Sequence, residues 1–199
     1  DRVSSTSDGW FCKGSAVSGN TTLEYRVFFV GNSLYFDISD GDDAPSSTYR
    51  RAVFPHNGTS LNWHHLVVTY AGGATPGSTG SLGMKCYING VEISSSSTGG
   101  TDAEGMTPDT GDLLIGRIDN ASYVHGGDMA QFIMWRNWEA QQSDVTYLYA
   151  NGTAHRNPLF AGSGYNGNNN VELWLPMNNN DDELSGNSHT CLLYTSDAA

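Results

Sequence analysis

Two dipeptides constrain this chain more than any other feature. Gly31-Asn32 lies between two runs rich in apolar, aromatic and β-branched residues, 23–30 and 33–38. Gly and Asn tolerate the positive φ of a two-residue hairpin turn, so the runs are expected to pair as antiparallel neighbours. Asn89-Gly90 repeats the signal between 82–88 and 91–93. A chain with two such hairpins is committed to antiparallel sheet over much of its length.

The remaining segments agree. Residues 49–54 read as a strand before Pro55-His56-Asn57-Gly58 turns the chain. Residues 63–70 are the clearest strand. Trp63, His65, Val67 and Thr69 alternate with His64, Leu66, Val68 and Tyr70, and apolar groups on both faces suit an inner strand of a two-sheet sandwich. Residues 71–80 and 94–110 read as loops, and 113–116, 129–135 and 171–175 as further strands. One helix is expected over 143–150, capped by Ser143, with Val145, Leu148 and Tyr149 on one face and Gly152 just past its end. Short strands, turn signals and no βαβ alternation indicate an all-β sandwich.

Composition bounds the function. Nine Lys and Arg against 21 Asp and Glu leave a net charge of −12. That balance argues against nucleic acid, whose phosphates call for a cationic surface, and against anionic membranes. No apolar run has the length that would insert in a membrane. Two stretches fall outside the sandwich expected over residues 1–177: an Asn/Asp-rich linker at 178–190, and a tail at 191–199. The tail, Cys191-Leu192-Leu193-Tyr194-Thr195-Ser196-Asp197-Ala198-Ala199, matches one reading frame of a transposase-type sequencing adapter, which points to an environmental or viral fragment. Setting it aside leaves Cys12 and Cys86, as a disulfide or as two buried thiols.

At Trp63-His64-His65-Leu66-Val67-Val68-Thr69-Tyr70 the chain resembles the laminin-G-like jelly-roll domains of the concanavalin A-like lectin/glucanase superfamily. Four further segments resemble that family in its order: Trp10-Phe11-Cys12-Lys13-Gly14, Lys85-Cys86-Tyr87-Ile88-Asn89-Gly90, Leu113-Leu114-Ile115-Gly116, and Gly127-Asp128 through Trp135 with the helix after it. The resemblance covers about residues 10 to 152 and implies a two-sheet antiparallel jelly-roll sandwich with one short helix near its C-terminal end. It also implies an opening strand before Trp10, where only nine mostly polar residues stand, so the sandwich is expected to lack its first strand, and an Ala-Leu pair where the chain reads Trp138-Glu139-Ala140-Gln141. Glu172-Leu173-Trp174-Leu175-Pro176-Met177 resembles a segment bordering such domains.

Glycanases of this class place their carboxylates as Glu-x-Asp-x-x-Glu on one strand, and a retaining pair stands about 5–5.5 Å apart. None of the six Glu sits in that pattern, so an enzyme is not expected. His64 and His65 are adjacent on a strand, where their side chains diverge and cannot share a metal. Asp40, Asp42 and Asp43 form a candidate Ca²⁺ loop, although a solvated turn is the commoner use of such residues. Asp109 and Asp112 are a weaker pair. An aromatic platform for sugar is expected at Tyr123, with Asp119, Asn120 and His125 around it, while Tyr49, Trp135 and Trp138 are further aromatic candidates. Asn20, Asn57, Asn120 and Asn151 open glycosylation sequons of the kind that arise by chance in such a composition.

The expected function is a non-catalytic binding or adhesion module, extracellular or on a virion surface, whose partner is a glycan or cell-surface glycoprotein with Ca²⁺ in support. The alternatives are a structural β-domain of a viral or surface fibre, forming homo-oligomers in a larger assembly, and an accessory domain of a secreted hydrolase.

Overall fold

The computed structural model describes residues 7–17, 20–39, 49–56, 63–72, 83–99, 106, 111–118, 123–150 and 167–177. The chain divides into two compact units, residues 1–128 and 129–199.

In the first unit, β1 (Ser7–Val17), β2 (Asn20–Val30), β3 (Ser33–Ser39), β4 (Tyr49–Pro55), β8 (Ser97–Gly99) and β9 (Leu113–Ile115) make one sheet. Among the described residues its order is β8-β4-β3-β2-β1-β9. A second sheet contains β5 (Leu66–Tyr70), β6 (Met84–Ile88) and β7 (Val91–Ile93) in the order β5-β6-β7. The pairings between neighbouring strands in both sheets are antiparallel. A short ribbon pairs β10 (Arg117–Ile118) with β11 (Tyr123–Val124).

Both turn dipeptides close hairpins, by different geometries. Asn89 and Gly90 both take positive φ, 51° and 81°, the type I′ pattern. In the first hairpin Gly31 takes φ 56° while Asn32 stays outside the positive region, the type II′ pattern. Val30 therefore pairs with Ser33, and every pairing back to Tyr25 and Ile38 follows from that register.

Strand alternation then builds the core. Val27 and Phe29 of β2, Leu34, Phe36 and Ile38 of β3, and Ala52 and Phe54 of β4 all point to one face. There they meet Met84 and Cys86 of the second sheet, with Leu66, Val68 and Tyr70 of β5 at the margin, so the two sheets form a β-sandwich. Each fully buried aliphatic or aromatic side chain of this kind contributes about 1.5–3 kcal/mol. A bulge in β1 leaves Trp10 as an extra residue between Gly9 and Phe11, so that both Trp10 and Phe11 pack against this core. The Trp10 ring lies 5.1 Å from Phe29.

Three differences from the sequence reading have local causes. Strand pairing at 63–70 starts only at Leu66, because the His65 N–H is taken by the Asn89 Oδ1 side-chain atom at 2.9 Å; Trp63 is 58% exposed. β8 lies in a stretch read as loop; its Ser97, Thr98 and Gly99 pair with β4, and low apolar content hid it. The pairing expected from Met129 begins at Phe132, since Gln131 takes φ 59°, outside the β region.

In the second unit, β12 (Phe132–Trp135) pairs antiparallel with β13 (Val171–Leu175), which a 3-10 turn at Asn168–Asn170 precedes. The helix α1 (Gln142–Tyr149) buries Val145 and Leu148. Ser143 is not its cap. Gln141 holds that position, and its N–H donates to Asp144 Oδ2 at 2.9 Å, half of a capping box. At the other end Ala150 takes φ 42° and its N–H bonds the Thr146 carbonyl. Gly152, the linker at 178–190 and the tail at 191–199 lie outside the described residues. No helix among the described residues is long and apolar enough to cross a membrane.

Candidate binding site

The strands that bury Phe29, Phe36 and Phe54 on one face carry a different set of groups on the other. Arg26 of β2 is directly opposite Asp37 of β3, and Asp37 is directly opposite Arg51 of β4. Arg26 Nε donates to Asp37 Oδ2 at 2.8 Å, while Arg51 donates through Nε to Oδ1 and through Nη2 to Oδ2, both at 2.7 Å. The Arg51 contact is the two-pronged fork that guanidinium geometry favours. Asp37 is fully buried, whereas the side chains of Arg26 and Arg51 are 23% and 22% exposed. Burial works against the Arg51 charge, but the hydrogen bonds and ion pairing with Asp37 outweigh it and hold its pKa above the ordinary guanidinium value.

Aromatic rings support the two cations. Phe28 and Tyr35, opposite each other in the first hairpin, stack with centroids 5.0 Å apart. The Arg26 guanidinium carbon lies 5.1 Å from the Phe28 ring. That of Arg51 lies 5.0 Å from Tyr35 and 4.7 Å from Tyr49. The β10–β11 ribbon forms a wall: Tyr123 meets Phe28 edge-on at 5.8 Å, and Ile118 is buried with Cys12 and Phe28. Gly9 permits this approach, because a Cβ there would sit 2.2 Å from the Tyr123 carbonyl oxygen. Together Arg26, Phe28, Val30, Tyr35, Arg51, Ile118 and Tyr123 line an open concavity of ≈ 270 Å³. That is near the lower limit of small-molecule sites, about 300–1,000 Å³, and suits one ring-sized group better than a buried oligomer.

Of the residues expected around the sugar, Tyr123 is in place on this wall. His125 is turned inward. Its side chain is 4% exposed, its Nδ1 is 2.9 Å from Asp8 Oδ1, its Nε2 is 3.4 Å from the Asp128 carbonyl oxygen, and its ring meets Trp10 edge-on at 5.6 Å. Asp119 and Asn120 lie outside the described residues, as do Asp40, Asp42, Asp43 and Asp109. Among the described residues no group of three or more His, Cys, Asp or Glu is placed to hold a metal ion, and Asp112 is exposed. Trp135 and Trp138 pack together at 5.7 Å in the second unit. Cys12 and Cys86 are buried free thiols, and burial pushes Cys86 up to about 12, which makes it inert at neutral pH.

The concanavalin A-like lectin/glucanases superfamily is represented by a laminin-G-like family model that matches residues 2–139, more than half of the chain. The chain belongs to this superfamily. No curated protein matches it, and no solved structure does. The match contains every residue lining the concavity of this laminin-G-like chain.

The sequence reading missed Arg26, Phe28, Tyr35, Asp37 and Arg51. A signal for four of them was present. Counting back from the Gly31-Asn32 turn sets Phe28 against Tyr35 and Arg26 against Asp37. Arg51 carried no such signal, because residues 40–48 between β3 and β4 fix no register by their turn chemistry.

Proposed function

We propose that this laminin-G-like chain is a non-catalytic binding module of an extracellular or virion-surface protein, and that it receives a glycan on the open face of its six-stranded sheet. One observation carries the reading: the concavity combines aromatic rings, which accept the apolar face of a sugar ring, with fixed donors for its oxygens.

The chemistry around it favours binding over hydrolysis. Among the described residues none that lines the concavity is a carboxylate, and glycoside hydrolysis takes two. Asp37 accepts three charged hydrogen bonds from two guanidinium groups, an arrangement for holding cations in place. The Asp8–His125 pair is buried, with both ring nitrogens directed at protein oxygens, so it is poorly placed to take a proton from water. A Ca²⁺ ion held by Asp40, Asp42 and Asp43 would sit in the connection leading from β3 to β4 and is proposed as a support for the same ligand.

A glycan array probed with the whole chain, with and without Ca²⁺, tests this. Binding to a defined set of glycans is expected, weakened at least tenfold in Tyr123→Ala under conditions where circular dichroism shows the variant still folded. No ligand under either condition would sink the reading, and binding indifferent to Ca²⁺ would remove the ion from it.

A further inference from the structure

We infer that the ligand of the concavity is an acidic saccharide, whose oxyanion group is received by Arg26 and Arg51 together. The inference rests on the glycan reading above and names the substrate class for the same site.

Charge gives the first argument. Two guanidinium ions face one carboxylate, so the Arg26–Asp37–Arg51 cluster carries a local net charge of +1 on a chain whose net charge is −12. A site for a neutral sugar has no need of this second cation. One arginine would neutralise Asp37, and Arg51 already does so through both carboxylate oxygens.

Donor accounting gives the second. A guanidinium has five N–H donors. Arg26 commits its Nε–H to Asp37, and Arg51 its Nε–H and one Nη2–H. Among the described residues the other Nη donors of both side chains have no protein partner, and both guanidiniums line the concavity. Those donors are held in position by the buried carboxylate behind them and the rings beside them, so little ordering remains for a ligand to impose. An oxyanion entering from the open side meets the remaining donors of both guanidiniums, with Asp37 balancing them from behind.

The walls give the third. Tyr35 and Tyr123 bound the same space, so a ring attached to the anion meets an aromatic surface. A free inorganic anion would leave that surface unused. The carboxylate of a uronic acid and the sulfate ester of a sulfated sugar share the required chemistry. Asp37 is a positioning residue in this scheme, since it acts through the two arginines.

Titration calorimetry on the whole chain distinguishes the possibilities, using oligogalacturonate, a sulfated galactan oligosaccharide and a neutral galactan oligosaccharide of matched length. At least one acidic oligosaccharide is expected to bind tenfold or more tighter than the neutral one, with affinity falling as NaCl is raised from 50 to 500 mM (about a threefold shorter Debye length). Arg26→Gln, which leaves the Arg51–Asp37 fork intact, is expected to lose tenfold or more for the acidic ligand and little for the neutral one. Neutral and acidic sugars bound alike would overturn the inference while leaving the glycan reading standing. No binding by any of the three would overturn the inference, and the glycan reading falls with it only where the array is blank as well. Which acidic arm binds identifies carboxylate or sulfate as the anion, and either supports the proposal. The comparison of wild-type ligands needs no variant, so it decides the matter even where a substitution unfolds the chain.

Discussion

The two faces of the six-stranded sheet are made by the same strands and share almost nothing else. On the side packed against β5–β7, β2, β3 and β4 place Val27, Phe29, Leu34, Phe36, Ile38, Ala52 and Phe54, all buried. On the other, the residues between these are Arg26, Phe28, Tyr35, Asp37 and Arg51, an ion cluster set on aromatic rings beside an open concavity. Arg50 departs from the pattern, being buried opposite Ile38 near the end of both strands. A one-residue slip would exchange the two sets, and the apolar face fixes the register that brings three charges into line. On the proposed reading, stability and recognition are written on alternate residues, and substitutions should separate them.

The largest effect belongs to the packed face. Phe54→Ala removes a fully buried ring from the inter-sheet core and is expected to lower unfolding free energy by about 3–5 kcal/mol. Urea titration would show a lower midpoint with an unchanged slope. A loss under 1 kcal/mol would mean that the core closes up without it. Asp37→Ala comes next. It strips the shared partner from Arg26 and Arg51 and should cost about 3 kcal/mol, at the low end for a broken buried pair because both guanidiniums keep a side toward water. An effect as small as that of an exposed salt bridge, under about 1 kcal/mol, would refute the view that this carboxylate holds the cations in place.

How much of this contrast the sequence carried follows from turn chemistry. The hairpin at Gly31-Asn32 determines its own register, so the β2 and β3 members of the inner set and most of the outer set could be read by counting. The sandwich of the first unit was legible from the segments in order between Trp10 and Gly116, where apolar alternation is coupled to turns. What stayed hidden depends on contacts between residues distant in sequence. Arg51 joins the site only through β3–β4 pairing, and β8 exists only because β4 offers its edge. His125 turns toward Asp8 for a related reason: that buried partner is 117 residues away in sequence, beyond the reach of any local pattern. Tyr123, the expected aromatic platform, lies in β11 on the wall of the concavity.

Acid should act elsewhere and more weakly. Burial holds the pKa values of His64 and His65 below the ordinary imidazole value. The folded chain therefore prefers both neutral, while the unfolded chain takes up protons near pH 6.5. Below that pH the unfolded state binds more protons than the folded one, so stability falls as pH drops; above it these two groups contribute no pH dependence. The geometry agrees, because Asn89 Nδ2 donates to His64 Nδ1 at 3.2 Å, and a proton on that nitrogen would remove the acceptor. Urea midpoints between pH 7.5 and 5.5 should decline in the wild type and decline less in H64Q/H65Q. An equal decline in both would assign the acid sensitivity to other groups. His64 and His65 do not line the concavity, so ligand affinity per folded molecule should not follow this effect.

The smallest expected change in stability is the most informative. Replacing the whole cluster at once, as Arg26→Met/Asp37→Leu/Arg51→Met, removes three charges and leaves none of them stranded. Desolvating a buried ion cluster costs about as much as its internal attraction returns, so apolar side chains of similar length should leave unfolding free energy within about 1 kcal/mol of the wild type. Set beside the loss expected for Asp37→Ala alone, that result would separate the cost of breaking the cluster from its net worth. If the triple variant is as stable as the wild type and no longer binds an acidic saccharide, the outer face is maintained for its ligand. If it loses as much stability as Asp37→Ala, the cluster is a structural clamp across β2, β3 and β4, and the division of labour between the two faces fails at its central residue.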